Sequence, residues 1–205
     1  LSSSSAASDV YKRQVFIQPS MASYEVFIER VKDIHKLSAI QGHLGWDQET
    51  IMPAKGAKSR SEIMSWLAKE QHARVIDESF CEMIEQLESD SSLTEDQQAN
   101  VREVRRRYDK AVKLPSKFVA EFALARSQAL VAWQEARAES DFAKFKPHLA
   151  KLISMTNEKI DYYGVETTRY DVLLDEYEFG MKVSDYDPLF ACLLYTSDAA
   201  DEEDS

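Results

Sequence analysis

The sequence predicts an all-α fold, an array of long antiparallel helices, on three observations. Only 5 Gly and 5 Pro interrupt its 205 residues, which favours long helices over many short strands. The strong helix formers Ala, Glu, Lys, Leu and Arg are plentiful. Apolar residues recur at three- and four-residue steps, and no run with a period of two is long enough to predict a sheet.

The first helix is predicted from about Ser23 to Gly45. Pro53 and Gly56 then predict that residues 46–58 form a loop. One apolar face of the helix supports its assignment, and this face carries Phe27, Val31, Ile34, Leu37, Ile40 and Leu44.

Helical pattern resumes near Ile63 and continues through residues 81–88. Thr94 and Gln97 then form a capping box, in which the hydroxyl accepts from the N3 amide and the Gln side chain reaches back. A further helix therefore begins there, and Pro115 ends it or opens the next one.

Two long helices and a weaker segment complete the pattern. A buried stripe predicts a helix over residues 118–139, and residues 140–141 offer a capping side chain for the next helix. That helix is predicted to stop at Gly164, a residue type suited to helix ends. Residues 170–181 predict a short helix and a turn, and Ser184 can start one more helix.

The two ends of the chain differ in composition from its body. The chain begins with Leu1, and its ends are rich in Ser, Ala and Asp without an apolar period. Both ends resemble translated sequencing-adapter sequence; the alternative for the second is an acidic interaction arm. We expect residues 1–20 to be a non-native, disordered leader and 192–205 a non-native, disordered acidic tail. The natural body is then 21–191, starting at Met21.

Charge and hydropathy argue against several classes of protein. The net charge of −11 disfavours binding to nucleic acid through a general positive field. No apolar run approaches the roughly 18 residues of a membrane span. Cys81 and Cys192 have no neighbouring Cys or His, so they predict neither a zinc knuckle nor a disulfide framework. We expect a cytoplasmic, reduced protein.

Motifs that carry chemistry are missing from the sequence. It contains no HExxH, and His35 and His43 are eight residues apart, so they do not share the helix face that two metal ligands need. Each histidine, including His72 and His148, is therefore expected to be exposed or bound to a structural partner. The basic run 102–113 is expected to be a solvated face held by the i,i+4 ion pairs Glu103–Arg107 and Asp109–Lys113, in preference to an anion site.

One segment has two interpretations that the sequence leaves open. Trp46 stands beside the polar residues Asp47, Gln48 and Glu49. An aromatic residue among polar groups can line a binding groove. Alternatively, the indole fills the core and the carboxylates cap the following helix.

Four blocks, in order, resemble the carboxypeptidase Taq family of metallocarboxypeptidases. They are LGWDQETIMPAKGAKSRSEIMSWLA, LTEDQQANVREVRRRYDKAVKLPSKFV, SQALVAWQEARAESDFAKFKPHLAKLI and YDVLLDEYEFGM. Together the blocks cover nearly all of residues 21–191. Phe179 stands where the family pattern has a proline, which is a minor departure in a turn.

The resemblance implies a metal-dependent exopeptidase that removes residues from peptide C-termini. It implies an all-helical, zincin-like fold, a peptide substrate, a homodimer, and zinc or cobalt held by an HExxH helix and a later glutamate. None of these catalytic or metal residues can be carried onto this chain, because those motifs lie downstream of it in the family.

The chain is therefore expected to be an N-terminal fragment that forms one helical wall of the peptidase and is inactive by itself. Trp46, Asp47, Gln48 and Glu49 are the candidate substrate-groove residues. The alternative function is a non-catalytic helical interaction module.

Overall fold

A computed structural model describes residues 23–203 of the chain, with side chains described as far as residue 195. Within this part the chain forms eight α-helices and no strand, so the all-α prediction is confirmed. No helix among them is long and apolar enough to cross a bilayer. The helices are α1 Tyr24–Thr50, α2 Ala57–Val75, α3 Glu78–Glu88, α4 Glu95–Ala111, α5 Ser116–Ala138, α6 Phe142–Tyr163, α7 Arg169–Leu174 and α8 Val183–Glu203.

Several helix boundaries lie where capping chemistry predicts them. The capping box of α4 is formed: Thr94 Oγ1 accepts from the amide of Gln97 at 3.3 Å, and the Gln97 side chain accepts from the Thr94 amide at 2.9 Å. Asp141 caps α6 by accepting from the amide of Ala143. Gly164 follows the last residue of α6 with a φ of 83°, a left-handed conformation that glycine adopts without steric cost.

Residues 46–50 are not a loop, because α1 continues through them to Thr50. Gly42 and Gly45 each cost the helix about 1 kcal/mol relative to Ala but do not block its hydrogen bonds. The helix ends only next to Pro53, where the Asp47 carbonyl accepts from two successive amides. A single 3₁₀ turn, Ala54–Gly56, then leads into α2.

The stretch from Ile63 through residue 88, for which the sequence predicts a continuous helical pattern, is divided into two helices, α2 and α3. The chain breaks at Asp77, whose backbone is extended. Arg30 of α1 donates to the Asp77 carboxylate at 2.7 Å and to the Ser79 hydroxyl at 2.7 Å. This contact fixes the bend, which turns α3 back against α1.

Residues 192–203 were expected to be a disordered tail, but they lie in α8. No Gly or Pro follows Leu189 to stop this helix, and Ala, Leu and Glu favour its continuation. The composition of the tail predicts little burial, which is a different property from the absence of a helix. The leader predicted for residues 1–20 lies outside the described residues.

Adjacent long helices run antiparallel, as the sequence predicts. In α2 and α5 the Ser65 hydroxyl donates to the carbonyl of Ala120, whereas His72, further along α2, contacts Ser116, which is earlier in α5. Helices α1, α2, α5 and α6 thus pack side by side, and α3 and α4 pair beside the first half of α1.

Two apolar clusters hold these layers. The first joins α1, α3 and α4 through Phe27, Phe80, Ile84, Leu87 and Val101. Within it the rings of Phe27 and Phe80 stack with centroids 6.1 Å apart. The second cluster joins α5 and α6 through Phe118, Ala125 and Met155.

Replacing Phe27 by Ala is expected to lower the free energy of unfolding by about 3–5 kcal/mol, because the ring is fully buried and its removal leaves a cavity. Val26→Ala is the control, since the neighbouring side chain is more than half exposed and should cost less than about 1 kcal/mol. Urea denaturation measures both. Equal losses would contradict the assignment of Phe27 to the core.

Candidate functional site

Of the four candidate residues at the end of α1, two have side chains that make contacts within the fold and two have exposed side chains. Trp46 is 60% exposed, so it does not fill the core. Glu49 is also exposed, whereas Gln48 is only 6% exposed and Asp47 is half-buried. Neither carboxylate caps α2, which begins after Gly56 without a side-chain cap.

Gln48 joins α1 to α5 through a buried pair of hydrogen bonds. Its amide nitrogen donates to the Ser127 carbonyl at 3.1 Å, and the Ser127 hydroxyl donates to its amide oxygen at 3.0 Å. Ser61 of α2 extends this network, with its hydroxyl oxygen 3.0 Å from that of Ser127. A buried polar group is stable only when it is paired in this way, so these three residues fix how α1, α2 and α5 meet.

Asp47 has a similar structural role at the start of α2. Its carboxylate forms an ion pair with Arg60, and the other arm of the guanidinium donates to the carbonyl of Leu44. One α2 side chain thus binds two groups of α1, and both partners of the ion pair are largely shielded from water.

A groove of about 480 Å³ lies between the end of α1 and helices α2, α5 and α6. We call it the α1–α5 groove. Two of the four candidates, Gln48 and Glu49, line it, and Trp46 and Asp47 do not. The wall formed by α5 adds Arg126 and Trp133, which the sequence interpretation missed. Their spacing of seven residues, two helical turns on one face, is the signal that could have linked them.

A second groove, of about 590 Å³, lies between α5, α6 and α7. We call it the α5–α7 groove. Arg126 borders this groove as well as the first, and it forms no hydrogen bond or ion pair with the residues that the structure describes. The lining of the second groove includes Phe122, Tyr170, Leu173, Leu174 and Tyr177.

Helix α7 is held in place by two aspartates. The Asp171 carboxylate accepts from the Thr167 hydroxyl at 2.6 Å, from the Thr168 amide at 3.1 Å and from the Val183 amide at 2.8 Å. These bonds, led by the one from Thr167, lower the pKa of Asp171 to about 2. Asp175 forms an ion pair with Lys110 of α4.

The turn after α7 also contacts α4. The guanidinium of Arg106 lies 4.6 Å from the centre of the Phe179 ring. Phe179 is the residue that departs from the family pattern, and a cation–π contact of this kind offers a use for an aromatic ring at this position.

Most cations of the basic run 102–113 are paired with acidic side chains of the protein, as expected. Arg102 has no such partner among the described residues, and one of the two predicted pairs is different. Glu103 pairs with Arg107 at 3.0 Å, as predicted. Asp109, however, pairs with Arg105 at 2.9 Å and not with Lys113, which donates to the Tyr163 carbonyl.

The histidines do not form a metal centre. His72 is buried, with one ring nitrogen 3.0 Å from the Ser116 hydroxyl and the other 2.9 Å from the Ala111 carbonyl, which confirms its expected structural role. His35 and His43 are exposed. Among the residues whose placement is described, no three or more His, Cys, Asp or Glu side chains are grouped as metal ligands, so this part of the chain does not fit a metal ion.

Comparison with known proteins gives a consistent match. Residues 26–196 match the family model described as carboxypeptidase Taq (M32) metallopeptidase. Thermostable carboxypeptidase 1 of Pyrococcus furiosus is 33% identical over 166 residues, which cover 81% of this chain and 33% of that protein. Carboxypeptidase 1 of Bacillus subtilis is 32% identical over 166 residues, which cover 80% of this chain and 33% of that protein.

Solved structures agree with these relatives. The crystal structure of a protein named BsuCP matches with a TM-score of 0.79 and 32% identity, over 83% of this chain and 34% of that one. A carboxypeptidase structure from Pyrococcus furiosus matches with a TM-score of 0.69 and 31% identity, over 87% of this chain and 35% of that one. The chain thus spans about a third of the length of the curated relatives it matches.

Gln48→Ala and Ser127→Ala are expected to show a coupling energy of about 1 kcal/mol in a double-mutant cycle, because the two side chains share a buried hydrogen bond. The measurement is the free energy of unfolding of each variant in urea. Glu49→Ala, on the exposed neighbour, should change stability by less than about 0.5 kcal/mol. Additive losses at Gln48 and Ser127 would contradict the network.

The Asp171 carboxyl is expected to titrate near pH 2, since the folded state lowers its pKa to about 2. The stability it supplies is present above its unfolded pKa of about 4 and is lost as the pH falls through the folded value. An NMR titration of the Val183 amide should follow this step, and Asp171→Asn should remove it. A midpoint near 4 would contradict the hydrogen-bonded geometry.

Proposed function

The chain belongs to the carboxypeptidase Taq (M32) metallopeptidase family, and we propose that it forms the N-terminal helical wall of an enzyme that releases amino acids from the C-termini of peptides. The family match over residues 26–196 carries this proposal. The all-helical fold, shared with the BsuCP crystal structure at a TM-score of 0.79, supports it.

The α1–α5 groove is proposed as the part of this wall that faces the peptide. An extended peptide needs partners for its backbone groups and apolar surface for its side chains. Glu49 offers a charged acceptor in the groove, and Trp133 offers an apolar surface.

The four candidates then have different roles in this proposal. Asp47 and Gln48 place the end of α1 against α2 and α5. Glu49 is the candidate for direct contact with the peptide. Trp46 is exposed and lies outside the lining of the groove, so it is assigned no contact with the peptide.

The remaining parts of the proposal concern the whole protein. A metal ion, zinc or cobalt, is proposed to be held by residues other than those described, which do not fit such an ion. A homodimer, a cytoplasmic location and peptide substrates complete it. No step of the reaction is assigned to the described residues, whose proposed task is to shape the cleft.

The 205-residue chain is expected to release no C-terminal residues from peptides in buffer with added zinc or cobalt, because its described side chains offer no metal centre. Mass spectrometry of a peptide substrate measures the release, with the full-length Bacillus subtilis carboxypeptidase as the positive control. Metal-dependent release by the chain alone would contradict the proposal.

A chimera gives the complementary test. In it, residues 24–195 replace the matched third of Bacillus subtilis carboxypeptidase 1. We expect this chimera to cleave peptides from the C-terminus, because the grafted helices share the fold of the segment they replace. A folded but inactive chimera would count against the proposed wall.

A further inference from the structure

The α5–α7 groove combines an open apolar surface with one uncompensated charge. We propose that it docks an amphipathic helix from the part of an M32 polypeptide that this chain does not match, with a carboxylate of that helix on Arg126. The proposal rests on membership of the family and is independent of the peptidase activity proposed above.

The surface of the groove is suited to a protein partner. Phe122, Leu173 and Leu174 are half-buried in its lining, and two tyrosines at its edge are open to solvent. Tyr170 is 61% exposed and Tyr177 is 87% exposed. Tyrosines beside an apolar lining are typical of protein interfaces, since each ring contributes a large contact area and a polar hydroxyl.

Arg126 gives the groove a charge preference. The other cation in its lining, Lys159, is neutralised by an ion pair with Glu176. Arg126 has no such partner among the residues described, so an anionic group is the ligand that would complete the site. A guanidinium binds a carboxylate through two parallel hydrogen bonds, which favours an Asp or Glu side chain.

The contacts that shape the groove lie within the chain itself. Helix α7 has only six residues, which is too few for a helix to be stable by itself. It is held by the bonds of Asp171 to the Val183 amide and of Asp175 to Lys110. A preformed groove between helices is the surface on which an amphipathic helix docks.

The length of the relatives supports this choice of occupant. This chain spans about a third of each curated relative, so about two thirds of an M32 polypeptide must pack somewhere on or beside these helices. An open apolar groove with an unpartnered arginine is a surface that this remaining polypeptide can cover. A second copy of the chain and a peptide substrate are the competing occupants.

A matched pair of substitutions tests the apolar contact. Tyr170 lies at the edge of the groove and Phe142 outside the lining of both grooves, and each aromatic side chain is 61% exposed. They are the second residue of α7 and the first of α6, where an Asp is favourable near the helix N-terminus. Tyr170→Asp is expected to lower the melting temperature of the chimera by about 3 °C or more.

The same substitution should leave the melting temperature of the 205-residue chain unchanged, and Phe142→Asp should not affect the chimera more than the chain. Arg126→Glu should destabilise the chimera alone, whereas Arg102→Glu, the same charge change at another exposed arginine without a partner, should not. Arg126→Lys is expected to lower the melting temperature of the chimera less than Arg126→Glu does, because lysine keeps the positive charge.

Several results would overturn the proposal. One is a change in melting temperature on Tyr170→Asp that has the same size in the chimera and in the 205-residue chain. Another is no change in the melting temperature of the chimera. If Arg126→Glu raises KM for peptides without changing the melting temperature, the groove is a substrate subsite. If Tyr170→Asp changes only the oligomeric state in light scattering, the groove binds a second copy.

The docking test can be read separately from the test of activity, and a second measurement is available if the chimera does not fold. The melting temperature does not depend on turnover, so a folded, inactive chimera would count against the proposed function and leave the docking test intact. If the chimera does not fold, the fluorescence of anilinonaphthalene sulfonate on the 205-residue chain replaces it. Tyr170→Asp should then lower the fluorescence more than Phe142→Asp does, and equal values would overturn the proposal.

Discussion

The meeting of α1, α2 and α5 at Gln48, Ser61 and Ser127 is the contact on which the rest of the wall depends. The serines are small enough to let the helices approach closely, and the Gln48 side chain bridges to the backbone and hydroxyl of Ser127. Because a buried amide without partners would cost about 1–3 kcal/mol, these hydrogen bonds favour the alignment of the three helices that the structure shows. The Arg60–Asp47 ion pair secures the same alignment at the end of α1.

This alignment explains why a segment that looked like a binding loop is largely structural. Asp47 and Gln48 are occupied by contacts within the fold, so they can hold a groove in shape without touching a ligand. Glu49 and Arg126 are left on the wall of the α1–α5 groove, within one face of the packed helices. Neighbouring residues within one helical turn point in different directions because the helix has a period of 3.6 residues. Some of them therefore make contacts within the fold and others are exposed.

Family membership concerns the activity of the whole protein, whereas the geometry of the wall concerns what these helices contribute to it. The match over residues 26–196 identifies the family, whereas the described side chains provide grooves and charges but no group of metal ligands. The family chemistry is therefore proposed for the whole protein, and the shaping of its cleft is proposed for these helices. The α5–α7 groove adds an open apolar surface bordered by Arg126.

The sequence by itself determined the helical class, the capping box at Thr94 and the end of α6 at Gly164, because these depend on local hydrogen bonds and backbone conformation. It also carried the family resemblance. Only the tertiary structure decided that α1 continues through Gln48 and that the chain bends at Asp77. It also decided that Arg126 joins two grooves. Gln48 and Asp77 have partners 79 and 47 residues away in the chain, Ser127 and Arg30 respectively, and Arg126 borders two grooves because other helices pack around it. Local periodicity carries no information about such distant contacts.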